Sequence, residues 1–302
     1  MGRVHRAMAK AGDWERMPAP AQPGEGIEAA PRYPGPALYP VVANHPRLAV
    51  ITGAQDATDD PLVQNRGVAT PAERILFKAF RLKYSNVDDR LPAVRMGDEA
   101  ARGVYRALAV RVSNLAARRD VKTVMITSAR DGEGKTTVAA NLAASIARLI
   151  KGRVLLIDGD VRRSRLGERL GILARFGWGD VIEGLASPTD AIARTEPGGL
   201  HVLVNRSQCQ PGQSDASDKL VDLLASERPE ELLEELKQQF DLIIIDCPCI
   251  TAYAEAQKLA LITDGTIMVV QAGYTDHRTV TDALKLVPKE KRMGIVLNQS
   301  EA

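Results

Sequence analysis

Lys135, Thr136, Asp158, Asp160 and Asp246 are the residue types that manage nucleotide phosphates, and Asp158 and Asp246 each close an apolar run. The stretch ITSARDGEGKTTVAANLA spans Ile126 to Ala143. Its centre, Gly132, Glu133, Gly134, Lys135, Thr136 and Thr137, reads GEGKTT and is a candidate cofactor-binding loop. Glycines let backbone N–H groups approach phosphate oxygens, a lysine neutralises the β- and γ-phosphates, and a following hydroxyl can ligate Mg²⁺. The helix expected after the loop points its positive end at the same phosphates. The usual pattern, G-x-x-x-x-G-K-[ST], has Ala129 at its first position here. Such a loop can keep its phosphate as a switch, hydrolyse it, or pass it to a protein side chain.

Further carboxylates join this loop. In LLIDGDVRRSRLG, Asp158 and Asp160 close an apolar run, with Arg162, Arg163 and Arg165 behind them. Two alternate carboxylates beside a phosphate loop can hold the water shell of Mg²⁺ and take a proton from an attacking hydroxyl. In LIIIDCPC, Asp246 ends another apolar run, the usual position of a second Mg²⁺-linked acid. The expected metal set is therefore Thr136, Asp158 and Asp246. His5, His45, His201 and His277 show no metal-ligand spacing.

Alternating strands and helices are needed to bring these residues together. TVMITS (Thr123–Ser128), RVLLID (Arg153–Asp158), LHVLVN (Leu200–Asn205), FDLIIID (Phe240–Asp246), GTIMVVQAG (Gly265–Gly273) and MGIVLN (Met293–Asn298) read as strands. TTVAANLAASIARLI, SDKLVDLLAS, RPEELLEELKQQ and RTVTDALKLV read as helices between them. From Asp98 to Ala117, Val104, Leu108, Val112 and Leu115 recur at helical spacing and predict a helix packed on the core. Near-continuous apolar strands separated by helices predict an α/β fold, with a mostly parallel, doubly wound sheet of the P-loop NTPase type. Ligands of such sheets sit at the strand C-termini, where these motifs fall.

The remaining third differs in composition. Arg16–Pro40 is dense in Pro, Gly and Ala and predicts a flexible linker. Before it, Val4, Met8 and Ala11 would share one side of a short helix, a candidate docking segment. Residues from about 70 to 90 read as partly helical. The expected division is a flexible N-terminal extension over 1–90 and a P-loop domain over 91–302.

Composition excludes several classes. A formal net charge of +2 with mixed signs gives no case for nucleic acid. No apolar run approaches the roughly 18–20 residues of a membrane span. The charged start MGRVHRAMAKAGDWERM is not a secretion signal, and Arg6 argues against myristoylation at Gly2. Cys209, Cys247 and Cys249 form no disulfide framework, so a reducing cytoplasm is expected.

TSARDGEGKTT, VLLIDGDVRR, LLASERPEELLEELKQQFDLIIIDCP, DGTIMVVQAGYT and MGIVLN resemble bacterial tyrosine kinases of the CpsD/CapB type, over roughly residues 95 to 302. The start MGRVHRAMAKAG also resembles the exosortase-associated subgroup of these autokinases. The resemblance implies ATP and Mg²⁺ as cofactors, with Lys135 and Thr136 in the Walker A loop. It implies a second motif, D-x-D-x-R, in Asp158, Asp160 and Arg162, with Asp158 as catalytic base, and Asp246 in Walker B. Asp264 resembles the acid that opens the next strand, and Asn298 the asparagine that faces adenine. The implied catalytic set is Lys135, Asp158, Asp160 and Arg162. The implied partner is a Wzz-like membrane chain-length or co-polymerase protein that activates the kinase, placing a cytoplasmic chain against the inner membrane, with homo-oligomers expected.

Departures from the family pattern qualify these implications. The last tyrosine is Tyr274, ahead of LNQSEA, so a tyrosine-rich tail is not the expected acceptor; Tyr33 and Tyr39 in the linker are candidates instead. Cys249 replaces the second proline of Walker B, and Glu255 stands where an aspartate is usual. Of the oligomerisation motif E-x-x-R-x-x-R, Glu99 and Arg102 match while Tyr105 takes the second arginine's place and Arg106 follows. Arg130 lies where related partition ATPases carry a lysine that crosses a dimer. The expected function is an ATP-dependent protein-tyrosine kinase in exopolysaccharide or capsule export. The alternative is an ATP-switched scaffold that modifies no tyrosine.

Overall fold

The computed structural model describes residues 39–42, 48–52, 78–81, 86–150, 152–196, 199–205, 222–224 and 226–299. Strands β1 (Tyr39–Val42), β2 (Leu48–Thr52), β3 (Lys78–Arg81), β4 (Thr123–Ser128), β5 (Val154–Asp158), β6 (Ala193–Glu196), β7 (His201–Leu203), β8 (Leu242–Asp246), β9 (Gly265–Gln271) and β10 (Arg292–Asn298) form one sheet. Their order is β1-β2-β10-β9-β4-β8-β5-β7-β6-β3. From β10 to β7 every neighbour is parallel. The antiparallel pairs are β1 with β2, β2 with β10, and β6 with β7.

The central strands are buried on both faces, which is why they read as unbroken apolar runs. Alternate residues point to opposite layers. Val124, Ile126, Leu156, Ile244 and Val269 face α1 (Pro92–Arg95), α2 (Glu99–Arg119) and α3 (Lys135–Leu149). Met125, Leu155, Ile157, Ile245 and Met268 face the other layer. That layer receives α5 (Trp178–Ile182), α7 (Arg228–Lys237), α8 (Ala254–Ile262) and α9 (His277–Lys285). The short helices α4 (Leu166–Leu170) and α6 (Pro188–Ala191) lie in the connection between β5 and β6.

The helix expected over Asp98–Ala117 is α2, capped by the Asp98 side chain, which accepts from Ala100 N. Its Tyr105 is buried and hydrogen-bonded to Asn141 of α3. The partly helical reading of residues 70–90 is corrected at Lys78–Arg81, which is β3, paired in parallel with β6. A distant strand partner overrides local helical spacing there. Within 1–90, strands β1 and β2 extend the sheet past β10, and residues 86–90 join the core through buried Val87. The candidate docking helix at Val4–Ala11, most of the Arg16–Pro40 linker and Cys209 lie outside the described residues. Among the described residues, no helix is long and apolar enough to cross a membrane.

Candidate active site

The GEGKTT loop leaves β4 and feeds directly into α3. Gly132 and Gly134 take φ values of +87° and +95°, a region that residues with a Cβ seldom adopt. Lys135, almost fully buried, begins the helix, and its Nζ lies 3.5 Å from Asp131 Oδ1. Arg163 Nη1 holds the other oxygen of Asp131 at 2.8 Å, which ties the loop to the segment after β5. The Cys249 thiol also hydrogen-bonds to Asp131. Cys247 and Cys249 are both buried free cysteines, as small interior residues would be.

Asp158 and Asp246 close neighbouring parallel strands and are register partners. Both are buried. Asp246 Oδ1 has no hydrogen-bond partner among the described residues, while the Thr136 hydroxyl hydrogen-bonds to the same carboxylate. A buried carboxylate oxygen without a donor costs free energy unless a cation or water meets it. The pair Thr136 and Asp246 therefore fits a divalent ion. Asp158 Oδ2 accepts from Ser164 Oγ at 2.6 Å, and Asp158 Oδ1 from Asp160 N at 3.3 Å. Its carbonyl accepts from Asn205 Nδ2 at 3.0 Å, fixing the strand end.

Burial, reinforced by the charge of Asp246, pushes Asp158 up to about 8, against the opposing Ser164 hydrogen bond. Burial likewise pushes Asp246 up to about 7, opposed by the Thr136 hydrogen bond and the Lys135 charge. Asp160 is raised by burial and drawn back partly by Lys135. Asp158 and Asp246 close neighbouring strands, Asp160 follows two residues after Asp158, and the Lys135 charge acts on both Asp160 and Asp246, so the four residues lie near one another, with Thr136 beside Asp246.

Other expected residues are positioned differently. The Glu133 carboxylate is buried and turned inward: Arg130 N donates to it at 2.7 Å, Gln271 N at 3.2 Å, and the Thr275 hydroxyl also donates. Glu133 thus braces the loop against the end of β9, and its carboxylate does not face the loop's ligand side. Asn298, at the end of β10, donates from Nδ2 to Glu133 O at 2.9 Å. Thr137 accepts from Arg169 Nη1 at 2.6 Å. The Arg162 guanidinium pairs with buried Glu255 and lies 5.3 Å from the centre of the Tyr253 ring. It faces Glu255 of α8, while the Arg162 backbone N–H donates to the Asp160 carboxylate. Asp264 sits at the opposite pole of the sheet, accepting from Lys122 N at 3.0 Å and Thr123 N at 2.8 Å. Arg130 is exposed on the loop's shoulder.

Sequence reading did not find Ser164, Asn205, Asn141 or Arg169. Asn205, Asn141 and Arg169 contact residues distant along the chain, while Ser164 lies six residues after Asp158, inside the stretch LLIDGDVRRSRLG.

The model of the AAA domain family matches residues 121–293. Tyrosine-protein kinase YwqD of Bacillus subtilis (strain 168) is 32% identical over 196 residues, covering 64% of this chain and 79% of YwqD. The chain belongs to the bacterial tyrosine-kinase family. The succinoglycan biosynthesis transport protein ExoP of Rhizobium meliloti (strain 1021) is 30% identical over 224 residues. That match covers 71% of this chain and only 28% of ExoP. Among solved structures, the VpsO kinase domain is 30% identical with a TM-score of 0.57, covering 66% of this chain and 95% of that one.

Proposed function

We propose that this chain is an ATP-dependent protein-tyrosine kinase acting in exopolysaccharide or capsule biosynthesis and export. The observation that carries the reading is the convergence of the loop lysine with Asp158, Asp160 and the donor-free oxygen of Asp246. The loop amides, Lys135 and Thr137 would hold the phosphates, and Asn298 the base. Thr136 and Asp246 would hold Mg²⁺, with Asp158 nearby; when bound, the ion neutralises charge shared between the phosphates.

Asp158 suits the role of base because burial raises its affinity for a proton. In the transfer, the tyrosine O–H proton passes to an Asp158 carboxylate oxygen. The phenolic oxygen forms a bond to the γ-phosphorus as the bond to the β-phosphate oxygen breaks, leaving ADP. Lys135 stabilises charge on the transferring group. Arg162, held by Glu255, is proposed to act by fixing the segment after β5.

The division into residues 1–90 and 91–302 is part of this proposal, with β1, β2 and β3 of the first part joined to the sheet of the second and Val87 in its core. A membrane co-polymerase partner is proposed as activator, in keeping with the transport name of ExoP. Homo-oligomerisation is proposed also; in this chain buried Tyr105 stands at the second arginine's place in the oligomer motif.

The test is transfer of label from γ-labelled ATP to tyrosine, on this chain and on a cytosolic tail of the partner, read by mass spectrometry. A Lys135→Met chain should give no product. ATP turnover that yields phosphate but no phosphotyrosine would replace the kinase by a nucleotide-switched scaffold.

A further inference from the structure

Arg169 has no part in the chemistry above, yet it reaches the first turn of the phosphate-loop helix. Its Nη1 donates to Thr137 Oγ1 at 2.6 Å. A guanidinium can only donate, so the threonine oxygen is the acceptor and its own proton remains to be given elsewhere. Thr137 is held from its other side as well, since its carbonyl accepts from Asn141 Nδ2 at 2.9 Å. Helix α4, which carries Arg169, is itself anchored, with the Arg169 carbonyl accepting from Asp88 N at 2.9 Å.

We propose that Arg169 is a positioning residue for the nucleotide: it grips the Thr137 oxygen so that the threonine proton points at the phosphates. This rests on the nucleotide-binding reading above and names a residue that reading does not include. The surrounding charge agrees. The half-buried guanidinium feels the attraction of Asp88 and Asp246 but also the repulsion of Arg90 and Arg165. Burial weighs against its charge more than any of these neighbours. An anion at the loop, reached through Thr137, would add to the attraction of Asp88 and Asp246.

The experiment is calorimetric titration of the full chain with Mg-ATP and Mg-ADP. The proteins compared are wild type, Arg169→Gln, Arg169→Lys, Thr137→Val and the Arg169→Gln/Thr137→Val double variant. Arg169→Gln should weaken both nucleotides by roughly tenfold, the scale of one hydrogen bond strengthened by charge. Arg169→Lys should recover most of the loss. The double variant should bind no worse than either single one, because both break the same relay.

Affinity within about twofold of wild type for Arg169→Gln, or losses that multiply in the double variant, would overturn the proposal. If Arg169→Gln lowers the melting temperature of the nucleotide-free chain, Thr137→Val decides alone: wild-type affinity in that chain overturns the relay. A wild-type chain that binds neither nucleotide overturns the nucleotide reading and the relay together. Normal wild-type binding with an indifferent Arg169 overturns only the relay.

Discussion

Asn298 closes over Gly134. Its side-chain amide donates to the Glu133 carbonyl at 2.9 Å and fills the space that a Cβ on residue 134 would need. The last strand of the sheet thus holds the phosphate loop from above. Gly134→Ala meets both that amide and a φ of +95°. The expected cost is on the order of 1–3 kcal/mol of stability, with nucleotide affinity reduced at least tenfold by calorimetry. Adding Asn298→Ala should return part of the stability by clearing the collision, without restoring the affinity.

The buried carboxyl pair makes stability depend on pH in an unusual direction. Asp158 and Asp246 bind protons more tightly folded, at about 8 and about 7, than at the ordinary value of 3.8. Their contribution is therefore fully present below the ordinary value and is lost as pH rises through the folded values. The nucleotide-free chain should melt at lower temperature as pH goes from about 6 to about 9. Asp158→Asn should flatten that slope. A melting temperature that climbs over this interval in the unmodified chain would contradict the assignment.

Asp131 competes for the loop lysine. It sits 3.5 Å from Lys135 Nζ and also binds Arg163, and it is partly exposed. Bound phosphates must displace or tolerate its charge. Asp131→Asn should therefore tighten Mg-ATP modestly, by up to about fivefold, since partly exposed pairs are worth about 1 kcal/mol or less. The gain should shrink as salt is raised.

Glu133 is a brace made of one carboxylate and three donors, Arg130 N, Gln271 N and the Thr275 hydroxyl. Glu133→Ala strands buried donors, so a loss of about 2–3 kcal/mol in urea unfolding is expected. Thr275→Val removes one donor only and should cost less, about 1 kcal/mol.

Much of this architecture could be read from residues alone. LLID, LIIID and TVMITS are unbroken apolar runs because both sheet faces are covered, and their terminal acids mark the strand ends where ligands bind. Glycine and lysine spacing located the loop for the same local reason. What escaped depends on distance along the chain. Strand β3 forms only because β6 offers it a parallel edge. The Arg162 guanidinium meets Glu255 on α8, 93 residues away in sequence. Helix α8 is short and follows the LIIIDCPC motif, so its periodicity gave little to detect. Arg169 is an ordinary polar residue until folding delivers Thr137 to it.

The Asn141 amide joins several stretches of backbone. It accepts from Ala93 N at 2.9 Å and donates to the carbonyls of Arg90 and Thr137, each at 2.9 Å. Residues 90–93 are therefore stitched to the helix that would carry the nucleotide. The smallest autonomous fragment should accordingly begin upstream of Arg90; one cut at Asp98 would leave this amide facing a gap and strip buried Leu91, Ala93 and Val94 from the core.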